Sequence, residues 1–138
     1  MKAKLPLTPK QAEDWKKLIF QGAVGVFPTE TFYGLGGNAL DQAAVERVFV
    51  CKKRPVDKSL LILVKRYWLL DFAILTEKVD QLLDEFWPGA LTVVLPANKN
   101  LPDFLRGPGN TIAVRHSPSK LFDKLLGILN KLLIGTCA

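Results

Sequence analysis

Short apolar runs, too brief to be helices, alternate along this chain with longer stretches of helical period, and that alternation limits the possible folds more than any other feature. Residues 23–27, "SLLILV" at 59–64, the end of "WPGALTVVL" and "NTIAVR" are each bounded by glycine, proline or small polar residues, and each reads as a strand. Between them lie helices with recognisable starts. Thr8-Pro9-Lys10-Gln11 is a capping box with proline at the first helical position, followed by the stripe Ala12, Trp15, Leu18 and Ile19 and ended by Gly22. Asp41 caps a second helix whose Ala44, Val45, Val48 and Phe49 share one face and which Pro55 stops. A third runs from 76 to 86 with Val79, Leu82, Leu83 and Phe86 inward, and Ser117-Pro118 opens a last one to about residue 126. "KLLIGTCA" then returns to strand. Such an order gives an α/β (α+β) fold with helices packed on one sheet. The sheet should be mixed, because "GALTVVL" and "NTIAVR" are joined by a connection with too little helical pattern to guarantee a right-handed parallel crossover.

At 138 residues the chain is one domain, residues 1–138, large enough for a real core. It has no apolar stretch of the roughly 18 residues needed to span a bilayer, and "MKAKLPLTPK" lacks the apolar centre of a signal peptide, so the expectation is a cytoplasmic protein without membrane partners. The two cysteines, Cys51 and Cys137, show no C-x-x-C spacing, which argues against a disulfide framework and a zinc site; Cys51 is expected to be a buried helix residue. Trp15, Trp68 and Trp87 read as core or turn packing. The only histidine, His116, leaves little material for a Ser-His-Asp or histidine-metal site and is expected to be an exposed loop residue. A formal charge of +6 favours anionic partners such as nucleotides or RNA.

Three stretches carry chemistry. In "PTETFYGLGG", Pro28 fixes the exit from the first strand, and Thr29 and Thr31 offer hydroxyls and backbone N–H groups to a carboxylate, amine or phosphate oxygen. Gly34, Gly36 and Gly37 would let a loop approach a ligand or take positive φ. The spacing is neither that of a P-loop nor that of a dinucleotide fingerprint. In "KKRPVDKS", Arg54 could act as a bidentate fork on phosphates with Lys52 or Lys58 as point charges, while Lys52 and Lys53 also suit the negative end of their helix. Arg115 ends the strand Ile112-Ala113-Val114, where a charge at the carboxyl end of a strand points toward the usual ligand crevice.

Together "FPTETFYGLGGNA", "KKRPVDKSLLILV", "FWPGALTVVL" and "TIAVR", in this order and at these separations, resemble the YrdC-like threonylcarbamoyl-AMP synthases, over about residues 12 to 138. The resemblance implies a twisted mixed sheet with a large basic concave face. It also implies an enzyme that joins L-threonine, bicarbonate and ATP, with Mg²⁺, into threonylcarbamoyl-AMP and pyrophosphate, which threonylcarbamoyl-transferase proteins use to modify tRNA. The same basic face makes tRNA or double-stranded RNA a further expected partner. By the same resemblance Thr29, Thr31 and Tyr33 would contact threonine and the carbamate, and Arg115 would clamp the threonine carboxylate. Lys52 and Arg54, the catalytic pair, would face ATP phosphates, with Lys58 and Ser59 in the same loop and Thr136 and Cys137 completing the nucleotide site. Two departures stand out. The family's terminal Ser-x-Asn motif meets Cys137 at the serine and the sequence ends at Ala138 before an asparagine, and after Arg115 the chain reads "HSPSK", so His116 does not take a family histidine's role. The alternatives are therefore a non-catalytic RNA- or nucleotide-binding module and, behind it, a carbamoyl-handling domain like those of hydrogenase maturation.

Overall fold

The computed structural model describes residues 8–28, 33–53, 60–129 and 133–137, with side chains described for all of these except 27, 28, 121, 122, 128, 129, 133, 136 and 137. Helix α1 (Pro9–Phe20) begins as its residues dictate: Thr8 Oγ1 accepts the Gln11 N–H, and the Gln11 side chain accepts the Thr8 N–H in return. Gly22, at φ +85°, turns the chain out of it. Asp41 caps α2 (Gln42–Lys52) by accepting the Ala43 and Ala44 N–H groups, and Thr76 caps α3 (Glu77–Phe86) through Val79. The fourth helix, α4, spans Lys120–Leu129. Helix α2 ends at Lys53, which takes the left-handed conformation (φ 50°), before Pro55 is reached.

Among the described residues, seven strands form two sheets. In the first, β1 (Gly25–Pro28), β2 (Tyr33–Gly36) and β7 (Thr136–Cys137) lie in the order β1-β2-β7, all antiparallel. In the second, β3 (Leu61–Leu63), β4 (Val93–Pro96), β5 (Thr111–Arg115) and β6 (Leu133–Ile134) lie in the order β4-β5-β3-β6. Here β3 and β5 are parallel while β4 and β6 run antiparallel to their neighbours, so the sheet is mixed, and the connection from β4 to β5 holds only the short 3-10 turn Asp103–Leu105 rather than a crossover helix. Only Gly135 separates β6 from β7. The Ile134 N–H donates to the Gly37 carbonyl (2.9 Å) and the Gly135 N–H to that of Leu61 (2.8 Å), which fastens the two sheets at that corner.

The pleat of β3 divides the interior. Ile62 and Val64 enter the larger core with Val45, Val48, Leu83, Ile112 and Val114, while Leu63 points the other way, to Trp15, Ile19, Leu125 and Leu126. Helices α2 and α3 thus serve the first cluster, and α1 and α4 the second. All three tryptophans pack as expected, Trp15 and Trp87 buried and Trp68 against both clusters, and the indole N–H of Trp87 reaches the Leu91 carbonyl at 2.8 Å. No described helix is long and apolar enough to cross a membrane.

Three expectations change. Leu82 and Phe86 are exposed (40% and 49%), and α3 seats itself through Leu83 alone, with Val79 half-buried beside it. Cys51 is exposed rather than buried, because Ala44, Val45 and Val48 define the inward stripe of α2 and its next position is Lys52. The segment Tyr33–Gly36, read as a glycine-rich loop, is strand β2.

Candidate functional site

The hairpin of β1 and β2 carries the first motif. Pro28 pairs with Tyr33, so residues 29–32 connect the two strands, and Tyr33 stands 48% exposed at the head of β2. Thr29 and Thr31 lie outside the described residues. The glycines here have a different task from the one expected. Neither Gly36 nor Gly37 takes positive φ; a Cβ on Gly36 would collide with the Ile134 carbonyl, and one on Gly37 would come within 2.9 Å of the Ala23 carbonyl. Gly36 lets the Ile134–Gly135 segment cross close over β2, and Gly37 lets the chain pass close to the Ala23 carbonyl. The consequence is positional: β7 pairs Cys137 with Gly34 and Thr136 with Leu35, so the last motif in the sequence lies beside the first. The backbones of Thr136 and Cys137 are described and their side chains are not.

Lys52 sits half-buried in the last turn of α2, where a cation also stabilises the helix's negative end, by roughly 0.3–1 kcal/mol. Arg54, Lys58 and Ser59 lie outside the described residues. They belong to the connection between α2 and β3, and Leu61, the first residue of β3, accepts the Gly135 N–H that leads into β7.

Arg115 closes β5. Because Ile112 and Val114 turn into the core, Ala113 and Arg115 lie on the opposite face of the sheet, which is only partly covered. Across the antiparallel ladder Val94, paired with Ala113, is 64% exposed. The Arg115 Nε–H donates to Thr92 Oγ1 at 3.0 Å, just before β4 begins. Sequence reasoning missed Thr92. The only signal for it was its period of two with Val94 on the outward face, and the pairing with Arg115 depends on a register that no local pattern reveals.

His116 is the second correction at this edge. Its side chain is 12% exposed; Nδ1 accepts the Arg66 N–H at 3.3 Å, Nε2 lies 3.5 Å from Asp123, and the ring meets Trp87 edge-to-face. Burial lowers its pKa below the usual 6.5, opposed by the hydrogen bond and charge of Asp123 and assisted by Lys65. Among the described residues no group of three or more His, Cys, Asp or Glu side chains is placed to hold a metal ion.

This arrangement matches a known fold and a known family. The family model described as "Telomere recombination", which covers Sua5, YciO and YrdC proteins, matches residues 17–138. The chain belongs to the Sua5/YciO/YrdC family. Within that family it is 39% identical over 124 residues to a threonylcarbamoyl-AMP synthase of Pyrococcus abyssi, covering 85% of this chain and 36% of the relative. It is 40% identical over 124 residues to a threonylcarbamoyl-AMP synthase of Pseudoalteromonas translucida, covering 87% and 66%. The crystal structure of Pyrococcus abyssi Sua5 complexed with L-threonine superposes with a TM-score of 0.89 at 33% identity, over 99% of this chain and 41% of that one. The chain thus spans between about a third and two thirds of the length of these Sua5/YciO/YrdC relatives.

Proposed function

We propose that this chain is a threonylcarbamoyl-AMP-forming nucleotidyltransferase, which makes L-threonylcarbamoyladenylate from L-threonine, bicarbonate and ATP and releases pyrophosphate. The observation that carries the reading is that two relatives near 40% identity bear this activity in their names. In this scheme carbon dioxide from bicarbonate captures the threonine amine. A carbamate oxygen then attacks the α-phosphorus of ATP, and the bond to the bridging oxygen breaks as pyrophosphate leaves. The reaction asks the protein for positioning and charge neutralisation more than for a strong base. Arg115, fixed at Nε by Thr92, holds the threonine carboxylate; Thr29, Thr31 and Tyr33 orient the amine and carbamate. Lys52 and Arg54 neutralise the phosphates with Lys58 and Ser59, and Thr136 and Cys137 border the nucleotide. The Thr136–Cys137 strand beside the Tyr33 strand supports grouping these motifs.

Mg²⁺ would arrive with ATP and neutralise phosphate charge; such sites commonly take only one or two carboxylates and rely on the phosphates for the rest. We further propose that the product passes to threonylcarbamoyl-transferase proteins acting on tRNA, in the cytoplasm. Pyrophosphate release that requires both threonine and bicarbonate tests the reading. Release without threonine, or none from folded protein, would favour the nucleotide- or RNA-binding alternative, which Cys137 at the family's serine position makes worth testing.

A further inference from the structure

His116 closes a circuit around the Arg115–Thr92 pair. Its carbonyl, one residue past Arg115, accepts the Gly89 N–H at 3.0 Å, and its ring meets Trp87 edge-to-face. The Trp87 indole N–H in turn holds the Leu91 carbonyl at 2.8 Å, one residue before Thr92. Thr92 Oγ1 completes the circuit by accepting the Arg115 Nε–H. The segment that delivers Thr92 is therefore tied to His116 twice, once through the backbone and once through the ring.

The ring itself is held by the chain beyond β3. The 3-10 helix Arg66–Asp71 receives no side-chain cap from Lys65, and its first N–H, that of Arg66, goes instead to His116 Nδ1 at 3.3 Å. A backbone N–H can only donate. Nδ1 must therefore be bare, and the ring proton must sit on Nε2, 3.5 Å from Asp123 of α4. Protonation puts a second donor at Nδ1, head-on to the Arg66 N–H, so the imidazolium cannot keep the contact that the neutral ring makes. It has to turn away from Arg66, and with that it loses its seat against Trp87.

A proton can reach the ring, because His116 borders a cleft of about 570 Å³ between the strand ends and α4. The charged groups around it pull in both directions. Lys65, just past β3, disfavours the imidazolium, whereas Asp123 favours it. Lys120 and Lys124 of α4 border the same cleft, and Arg66 directs its guanidinium to Asp80 and Asp84 of α3. Burial outweighs the rest and lowers the His116 pKa below 6.5, so the bare Nδ1 is kept at neutral pH and lost as pH falls through the lowered value.

We propose that His116 is a positioning residue for Arg115 and Thr92, holding the pair in place only while Nδ1 is unprotonated. Its effect on threonine rests on the reading that Arg115 clamps the threonine carboxylate; its effect on Arg115 does not. The test is an NMR titration of the isotopically labelled full chain from about pH 7.5 to about pH 4.5, following the His116 imidazole nitrogens and the Arg115 Nε–H, with L-threonine affinity measured by calorimetry over the same range. The neutral ring should carry its proton on Nε2, and the Arg115 resonance should move with the His116 midpoint. Threonine binding should weaken about fivefold across that midpoint, the worth of roughly one hydrogen bond. His116→Asn, whose Oδ1 can replace Nδ1 as acceptor, should keep both the resonance and the affinity and abolish the pH step. His116→Phe, which keeps a ring against Trp87 but offers no acceptor, should shift the resonance and weaken threonine about fivefold at every pH. A neutral ring protonated at Nδ1 would overturn the proposal, as would a ring that stays neutral throughout. So would an Arg115 resonance indifferent to His116, or Asn and Phe variants that behave alike. An Arg115 resonance that follows His116 in a chain that binds no threonine at any pH would support the positioning and contradict the carboxylate reading instead.

Discussion

Adjacent residues of β5 live in different worlds. Ile112 and Val114 are each 1% exposed within the larger core, whereas Ala113 and Arg115, on the other face of the same strand, remain only half covered. The same strand therefore builds the core on one side and presents Arg115, the proposed carboxylate clamp, on the other. Stability should reside in one set of positions and activity in the other, with limited overlap.

Substitutions at four positions test this division, from the largest expected effect to the smallest. Ile62→Ala, on the core face of the neighbouring strand, removes a side chain that is 1% exposed and should cost about 2–5 kcal/mol in chemical denaturation. A loss below 1 kcal/mol would mean that the core is not organised as described. Gly36→Ala drives a methyl into the Ile134 carbonyl and should cost about 1–3 kcal/mol, since the backbones must separate where β7 reaches β2. Thr92→Val keeps the shape but removes the acceptor from Arg115 Nε; stability should change by no more than about 0.5 kcal/mol, while threonine KM rises. Thr92→Ser should restore it. Equal effects of Val and Ser on KM would show that the hydroxyl does not position Arg115.

The smallest effect concerns pH. His116 has a pKa lowered by burial, so the fold prefers the neutral ring; its contribution is fully present above pH 6.5 and is lost as pH falls through the depressed folded value. His116→Gln should flatten the decline of stability below pH 6.5 in thermal melts at several pH values. An unchanged slope would assign the decline to other groups.

Much of this was readable without coordinates. Thr8, Asp41 and Thr76 cap the three helices for which they are the natural starting residues, because capping is local chemistry. The strands were visible as apolar runs, and the Gly-Pro-Gly turn into β5 holds, with Gly107 N–H to Thr111 O at 2.7 Å and Gly109 at φ +70°. Strand β2 escaped because its glycines mimic a loop; what Gly36 serves is a close crossing by Ile134, far away in sequence. The Thr92–Arg115 contact and the environment of His116 depend likewise on register and on α4, neither of which leaves a local mark. For Cys51 the error was one of phase, since the inward stripe of α2 passes to Lys52. Within the site, the motif positions were legible as residues, while the meeting of the first and last motifs through the β2–β7 ladder was not.

The central claim is that this chain forms threonylcarbamoyl-AMP, and it is tested most directly by mass spectrometry after incubation of the purified 138-residue chain with ATP, Mg²⁺, L-threonine and bicarbonate. Threonylcarbamoyl-AMP from the unaltered chain and none from the Lys52→Ala, Arg54→Ala double variant is the expected result. Folded protein that binds ATP or threonine yet yields no product would contradict it and leave a binding module in its place.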